Sequence, residues 1–255
     1  MDLGLAGQVY VVTGGSRGLG LATARVLVAE GAAVVLAGRT AASVEQAAQE
    51  LGAAGPGAAT GVVADLSDPG TPARLVDAAR SADGRLDGGL VSVGGPPVGT
   101  VEGTSDDAWR SAFESVFLGS VRMMRVLAGA VGDGGSVAAV LSTSVKSPIT
   151  GLSTSNGLRP GLAMVVKSLA DEVGPRGVRV NGLLPGRIDP ERVRSLDAAA
   201  ADPVAAKASA EASVPLRRSG EPAEFGRVAA FLLSPASSYV TGAMVPVDGG
   251  VLRAL

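Results

Sequence analysis

A chain of 255 residues, 46% of them hydrophobic, is long enough to bury the core of a large α/β domain, and one domain over 1–255 is the expectation. A formal charge of -2, from 22 basic and 24 acidic side chains of interspersed sign, offers no basic surface to nucleic acid or to an anionic membrane. With no Cys and no His, the chain has no thiol nucleophile, disulfide, imidazole base or common zinc ligand, so proton chemistry falls to hydroxyls, carboxylates, Lys or a cofactor and no metal site is expected.

The chain opens with an apolar run over 9–12 that reads as a buried parallel strand and ends in a glycine-rich turn. Gly14, Gly15, Gly18 and Gly20 permit a tight turn and close backbone approach to a pyrophosphate, and a helix over 21–30 would aim its free N–H groups at that anion. A second strand over 33–37 leads to Gly38, Arg39 and Thr40, with Thr40 as N-cap of a helix over 41–51, followed by a loop over 52–57. The third strand, 60–64, ends in Asp65 and Leu66, and Ser67 or Asp68 is expected to cap a helix from Pro69 to about Arg80. A fourth strand over 90–93 precedes the loop 94–103, which holds Pro96 and Pro97. Ser105 then starts a long amphipathic helix through Trp109, Phe113, Phe117 and Val121 to about Ala130.

The fifth strand, 136–141, runs into the polar turn Ser142, Thr143, Ser144, Val145 and Lys146, and a helical pattern resumes over about 158–173. Strand six covers 178–183, and Asn181, Pro185 and Gly186 close it. The alanine-rich segment 187–213 falls where a lid over the carboxyl edge of the sheet would sit. A helix over 222–233 and a last strand over 243–247 complete the pattern, which is that of βαβ units: a doubly wound Rossmann domain of about seven parallel strands with helices on both faces.

These residues carry a resemblance that covers nearly the whole chain. Thr13 to Gly20 resembles the T-G-x-x-x-G-x-G turn of the short-chain dehydrogenase/reductase superfamily, Asp65 and Leu66 its acidic and apolar pair after strand three, and Asn181 to Gly186 its Asn-x-x-x-Pro-Gly motif. The stretches from Pro215 to Phe225 and from Tyr239 to Gly250 are similar to segments of the 3-oxoacyl-carrier-protein reductase group. The resemblance implies an oxidoreductase with a nicotinamide dinucleotide held by Gly14, Ser16, Arg17, Gly18, Leu19, Gly20, Arg39, Thr40, Asp65, Leu66, Ser92, Val93, Gly94, Pro185, Gly186 and Ile188. It also implies a homotetramer or homodimer built on the long helix 105–130, acting on a small carbonyl or hydroxyl compound. The residue ending strand two lies beside the adenosine ribose and is here Arg39, which with Arg17 offers forked donors to a 2′-phosphate, so NADP(H) is favoured over NAD(H) unless both arginines are merely solvated.

The same alignment exposes three departures from the family's catalytic set. The proton-donating Tyr position is Ser155, the Lys position is Arg159 and the helix Asn position is Val116, whereas the Ser position is kept as Ser142, with Thr143 adjacent. The sequence Ser-Asn-Gly-Leu-Arg is similar to a Ser-Asn-x-x-Arg signature of one branch of the superfamily. A serine hydroxyl is a far weaker acid than a phenol, and an arginine stays protonated. Pro160 biases Arg159 away from the α region, and Gly157 and Gly161 weaken the helix further, so a late start or a kink is expected there. Lys146 is then either a replacement proton donor, its pKa lowered by burial, or an exposed loop lysine. Asp189 and Glu191 are either site carboxylates or cap and surface groups. Two functions fit: an NADP(H)-dependent carbonyl reductase or alcohol dehydrogenase with a rebuilt proton-donor site, or a protein of this fold that has lost hydride transfer, as a dehydratase, isomerase, cyclase or cofactor-binding pseudoenzyme. No basic leader precedes an apolar run and no stretch reaches the roughly 18 apolar residues that span a bilayer, so a cytoplasmic location is expected.

Overall fold

Residues 2–96, 98–188 and 202–254 are described in the computed structural model of the protein. Pro97, Asp189, Glu191 and part of the lid-like segment lie outside them. Seven strands form one parallel sheet in the order β3-β2-β1-β4-β5-β6-β7. They are β1 (Val9–Thr13), β2 (Ala33–Gly38), β3 (Ala58–Val63), β4 (Gly88–Val91), β5 (Ser136–Val140), β6 (Arg179–Pro185) and β7 (Met244–Val247). The order reverses between β1 and β4, which opens a crevice at their carboxyl ends.

Both faces of the sheet are covered, and β1 shows why its sequence is apolar throughout. Val9 and Val11 point into a core shared with α3 (Thr71–Asp83), α5 (Gly119–Ala130) and α6 (Ser153–Val173). Tyr10 and Val12 point into the opposite core with α1 (Gly18–Ala29), α2 (Ala41–Gly52) and α8 (Pro222–Leu233). A strand buried on two faces has no polar alternation to display. On the second face α1 and α8 touch through backbone: a Cβ on Gly226 would stand 2.6 Å from the Ala22 carbonyl oxygen.

Several element boundaries differ from those the sequence suggests, each for a local reason. β4 stops at Val91 because the Thr13 hydroxyl takes over the backbone of Ser92, accepting its N–H at 2.9 Å and donating to its carbonyl at 2.8 Å. Neither Ser67 nor Asp68 caps α3. Asp65 instead accepts from the Ser67 N–H and hydroxyl, Asp68 accepts from the Gly70 N–H, and the helix starts later, at Thr71. Ser105 does cap its helix, accepting from the Ala108 N–H at 3.3 Å, but the helix is not uniform. α4 (Asp106–Ala112) widens into a π segment, Phe113–Leu118, before continuing as α5.

The larger correction concerns α6, which begins at Ser153, ahead of Pro160, and runs unbroken to Val173. Pro160 costs the Asn156 carbonyl its helical partner at a point where the neighbouring Gly157 is exposed. Gly157 and Gly161, which weaken a helix in isolation, are contact points. A Cβ on Gly157 would lie 2.9 Å from the Trp109 ring, and one on Gly161 3.0 Å from the Phe117 ring. Close helix packing outweighs the propensity cost of about 1 kcal/mol per glycine. None of the helices among the described residues is long and apolar enough to cross a membrane.

Asn181 shows what the motif after β5 does structurally. Fully buried in β6, it donates through Nδ2 to the Val240 carbonyl at 2.8 Å and accepts the Ala243 N–H at 3.0 Å, fixing the chain that enters β7. Asn181→Ala removes the acceptor of the Ala243 N–H and leaves the Val240 carbonyl only its longer bond from Arg179 at 3.4 Å, and should destabilise the fold by about 1–3 kcal/mol, read as a lower urea midpoint. Asn181→Asp should do no better, because it keeps the acceptor but buries a charge against a carbonyl.

Candidate active site

The crevice at the β1/β4 switch point is a cleft of about 880 Å³. Its outer half is built by the turn after β1. Gly14 has φ +56°, and a Cβ there would lie 2.7 Å from the Ser92 carbonyl oxygen; a Cβ on Gly20 would lie 2.3 Å from the Gly14 oxygen. Backbone alone can pack this closely, and Ser16, Arg17, Gly18 and Leu19 bring the first turn of α1 to the cleft lining. Gly20 lies behind the turn, outside the lining, and holds α1 against it.

Arg39 and Thr40 bring the end of β2 to the same region, and Asp65 and Leu66 bring the end of β3. The Asp65 carboxyl sits below the usual carboxylate range chiefly because it accepts the Ser67 N–H, with the Ser67 hydroxyl and the Arg39 charge adding to the effect. Ser92, Val93 and Gly94 line the floor after β4, and Pro185 and Gly186 the far wall after β6. Ile188 is different. Its side chain is 4% exposed and belongs to the core beneath α8, not to the lining. Of the lid-like segment, residues 203–213 form α7 (Pro203–Ser213), and Arg187, Ala210 and Ser213 reach the cleft.

At the inner end, Ser142 closes β5 and accepts the Ser144 N–H at 3.1 Å, capping a short 3₁₀ turn, Thr143–Val145. The Ser144 hydroxyl lies 3.1 Å from the hydroxyl of Ser155, one turn into α6. Arg159, four residues on, occupies the same helix face and donates to the Val140 carbonyl at 2.6 Å. Ser142, Ser155 and Arg159 all line the cleft, with Ser155 and Arg159 only 5% and 4% exposed. The unbroken helix thus keeps in register the two positions that the sequence suggested were displaced. Val116, in the π segment, lines the wall opposite.

Lys146 is not brought in with them. It is exposed at the end of the 3₁₀ turn and absent from the lining. Neither tyrosine replaces the missing phenol. Tyr10 is fully buried in the core, where burial pushes its phenol well above its usual range, and Tyr239 is fully exposed. The remaining lysines, Lys167 and Lys207, also lie away from the cleft.

Among the residues that no motif marked, Ile149 and Leu152 from the loop before α6, Ala108 and Ser111 from α4, and Val251 from beyond β7 also line the cleft. Their approach is a product of tertiary folding, and no short-range pattern signals it.

Comparison with known proteins agrees with this architecture. Residues 14–252 match the sequence profile of the enoyl-(acyl carrier protein) reductase family. The chain is 36% identical over 248 residues to an uncharacterized oxidoreductase of Mycobacterium tuberculosis, covering 96% of this chain and 92% of that one. It is 32% identical to the cis-4-hydroxycyclohexanecarboxylate dehydrogenase of Sinomonas cyclohexanicum, covering 98% of each. Among solved structures, L-sorbose reductase of Gluconobacter frateurii in complex with NADPH and L-sorbose superposes with a TM-score of 0.92 at 29% identity over 100% of both chains. An NADPH-bound short-chain oxidoreductase of Pseudomonas aeruginosa PAO1, described as containing an atypical catalytic center, superposes with a TM-score of 0.89 at 31% identity over 97% of this chain and 98% of that one. The glycine turn, the parallel sheet and these full-length similarities together establish that the chain belongs to the short-chain dehydrogenase/reductase superfamily of oxidoreductases.

Proposed function

We propose that the protein is an NADP(H)-dependent oxidoreductase of the carbonyl reductase or alcohol dehydrogenase type whose proton-donor site has been rebuilt around hydroxyls and a fixed cation. The observation that carries the cofactor preference is Arg39, which lines the cleft at the end of β2 together with Arg17. An acid at the end of β2 would repel a 2′-phosphate, whereas these guanidiniums present donors to it. NADPH in two of the structural relatives supports the same reading.

The cradle fits a dinucleotide, since Gly14, Ser16, Arg17 and Gly18 at the start of α1 line the same cleft as the ends of β2, β4 and β6. The N-terminus of α1 and Arg17 would hold the pyrophosphate, Arg39 and Thr40 the adenosine end, and Ser92, Gly94, Pro185 and Gly186 the nicotinamide end. A bound nicotinamide supplies or accepts a hydride. Ser142 and Ser155 position the substrate oxygen by hydrogen bonding, and Arg159, charged at every accessible pH, stabilises negative charge on that oxygen. With no Tyr and no Lys lining the cleft among the described residues, the proton on that oxygen comes from water in the cleft beside the Ser155 hydroxyl.

Four outcomes follow. NADPH should bind at least about tenfold tighter than NADH, since a charge-assisted contact is worth about 1.5–3 kcal/mol, and Arg39→Asp should reverse the order in a fluorescence titration. Equal affinities in the wild type would remove the assignment. Arg159→Met should lower kcat by about tenfold or more, whereas Lys146→Ala should change it less than about threefold. Reduction should show no ionisation break between pH 7 and 9, because neither a serine hydroxyl nor a guanidinium titrates there; a lysine donor would introduce one. NADPH binding with no turnover of any ketone or alcohol would instead indicate a protein that has lost hydride transfer. Finally, Phe113, 45% exposed and stacked on Phe117 at 5.2 Å, and Met164, 67% exposed on α6, leave apolar surface on both helices. Light scattering should find four chains, or two, per particle; a single chain at micromolar concentration would overturn the assembly.

A further inference from the structure

Asn156 sits between Ser155 and Arg159 in sequence but faces away from both, toward the loop that precedes its own helix. Its Oδ1 accepts the Ile149 N–H at 2.9 Å and its Nδ2 donates to the Ile149 carbonyl at 2.8 Å. One side chain thereby occupies both backbone groups of one residue, as a neighbouring strand would. That carbonyl also accepts the Leu152 N–H at 3.2 Å, so both of its lone pairs are used. An amide suits this position because it donates and accepts at once. A carboxylate lacks the donor, and an alanine lacks both groups.

The clamped residue matters because Ile149 and Leu152 form an apolar wall of the cleft that Ser142 and Ser155 also line. Between them, Gly151 adopts φ +75°, a left-handed turn that favours glycine. The far side of the same loop is held by the segment that follows β4. The Gly99 N–H donates to the Gly151 carbonyl at 2.8 Å, the Ser153 N–H donates to the Gly99 carbonyl at 3.1 Å, and the Thr104 and Ser153 hydroxyls meet at 3.0 Å. The wall is therefore pinned from both sides, and on the α6 side Asn156 supplies the side-chain clamp.

We propose that Asn156 is a positioning residue that fixes Ile149 as the wall limiting the size of the substrate group beside Ser142 and Ser155. The substrate part of this inference rests on the oxidoreductase reading above, but the clamp itself does not. If Asn156 holds the loop, Asn156→Ala should raise hydrogen exchange at the Ile149 amide at least tenfold while the amides of β5 stay protected. Affinity for NADPH should stay within about twofold, which also reports that the variant has folded. With a graded series of ketones, the ratio of kcat/KM for phenyl ketones to that for methyl and ethyl ketones should rise at least fivefold, mainly through KM. Ile149→Ala should move the ratio in the same direction with the amide at position 149 still protected. Asn156→Asp keeps the acceptor for that amide but turns a carboxylate on the Ile149 carbonyl, so exchange should change little while the ratio still shifts. It also serves as the second variant should Asn156→Ala fail to fold.

An Ile149 amide as protected in Asn156→Ala as in the wild type, or an unchanged ketone ratio in an otherwise active enzyme, would overturn the proposal. If no ketone is reduced by the wild type, the oxidoreductase reading fails separately, and exchange at position 149 alone decides for or against the clamp.

Discussion

The site depends on one stitch between two neighbouring strands whose connections leave in opposite directions. Thr13, the last residue of β1, uses its single hydroxyl as acceptor for the Ser92 N–H and as donor to the Ser92 carbonyl. This holds the chain after β4 against the glycine turn after β1 at a spacing that excludes a Cβ on Gly14. Were the two ends to splay, the backbone cradle would lose its floor, and the helix N-terminus, Arg17 and Arg39 would no longer face one cleft. The threonine, the glycines and the strand order reversal meet a single geometric requirement with two kinds of residue and one feature of topology.

The cradle was legible in the sequence because each of its parts is local. A β-branched run, glycines at fixed offsets and a helix pattern occur within a few residues, and the physics that couples them is short-range. The strands were legible for the same reason, as were the cap at Ser105 and the helix Pro222–Leu233. What failed was local reasoning applied where tertiary contacts decide. Pro160, Gly157 and Gly161 all argue against a helix through Ser155, yet Trp109 and Phe117 need those glycines bare in order to pack. The helix runs on through Pro160 without a break. Likewise Lys146 follows a run of hydroxyl residues in sequence, but the 3₁₀ turn directs it outward, and Ile149 and Leu152, with no chemical signal of their own, take the wall.

At the inner end the chemistry differs in kind from a proton-donating pair. Ser155 shares its hydroxyl with Ser144, and Arg159 anchors one amino group on the Val140 carbonyl at the end of β5. Both are buried, and both are fixed by neighbours before any substrate arrives. Groups held in this way lower the energy of a charge that develops beside them without reorganising, which is the electrostatic form of catalysis. On the proposed function, stabilisation and proton supply, which one phenol could combine, would be divided between protein and water.

That division is possible because the two halves of the cleft are carried by different parts of the fold. The dinucleotide half is made by the ends of β1, β2, β3 and β4, while the inner half comes largely from the end of β5, the 3₁₀ turn, the clamped loop and the first two turns of α6. The link between them is sheet pairing between β4 and β5, a backbone interaction indifferent to the side chains at 155 and 159. Substituting those side chains therefore leaves the cradle undisturbed, provided that α6 keeps its register. Two asparagines guard the flanks of that arrangement: Asn156 ties the start of α6 to the loop before it, and Asn181 ties β6 to the chain entering β7. Each fills both a donor and an acceptor role with one amide, so each holds backbone that no strand pairs. The inner site is thus free to vary in its reactive groups while remaining constrained in its geometry.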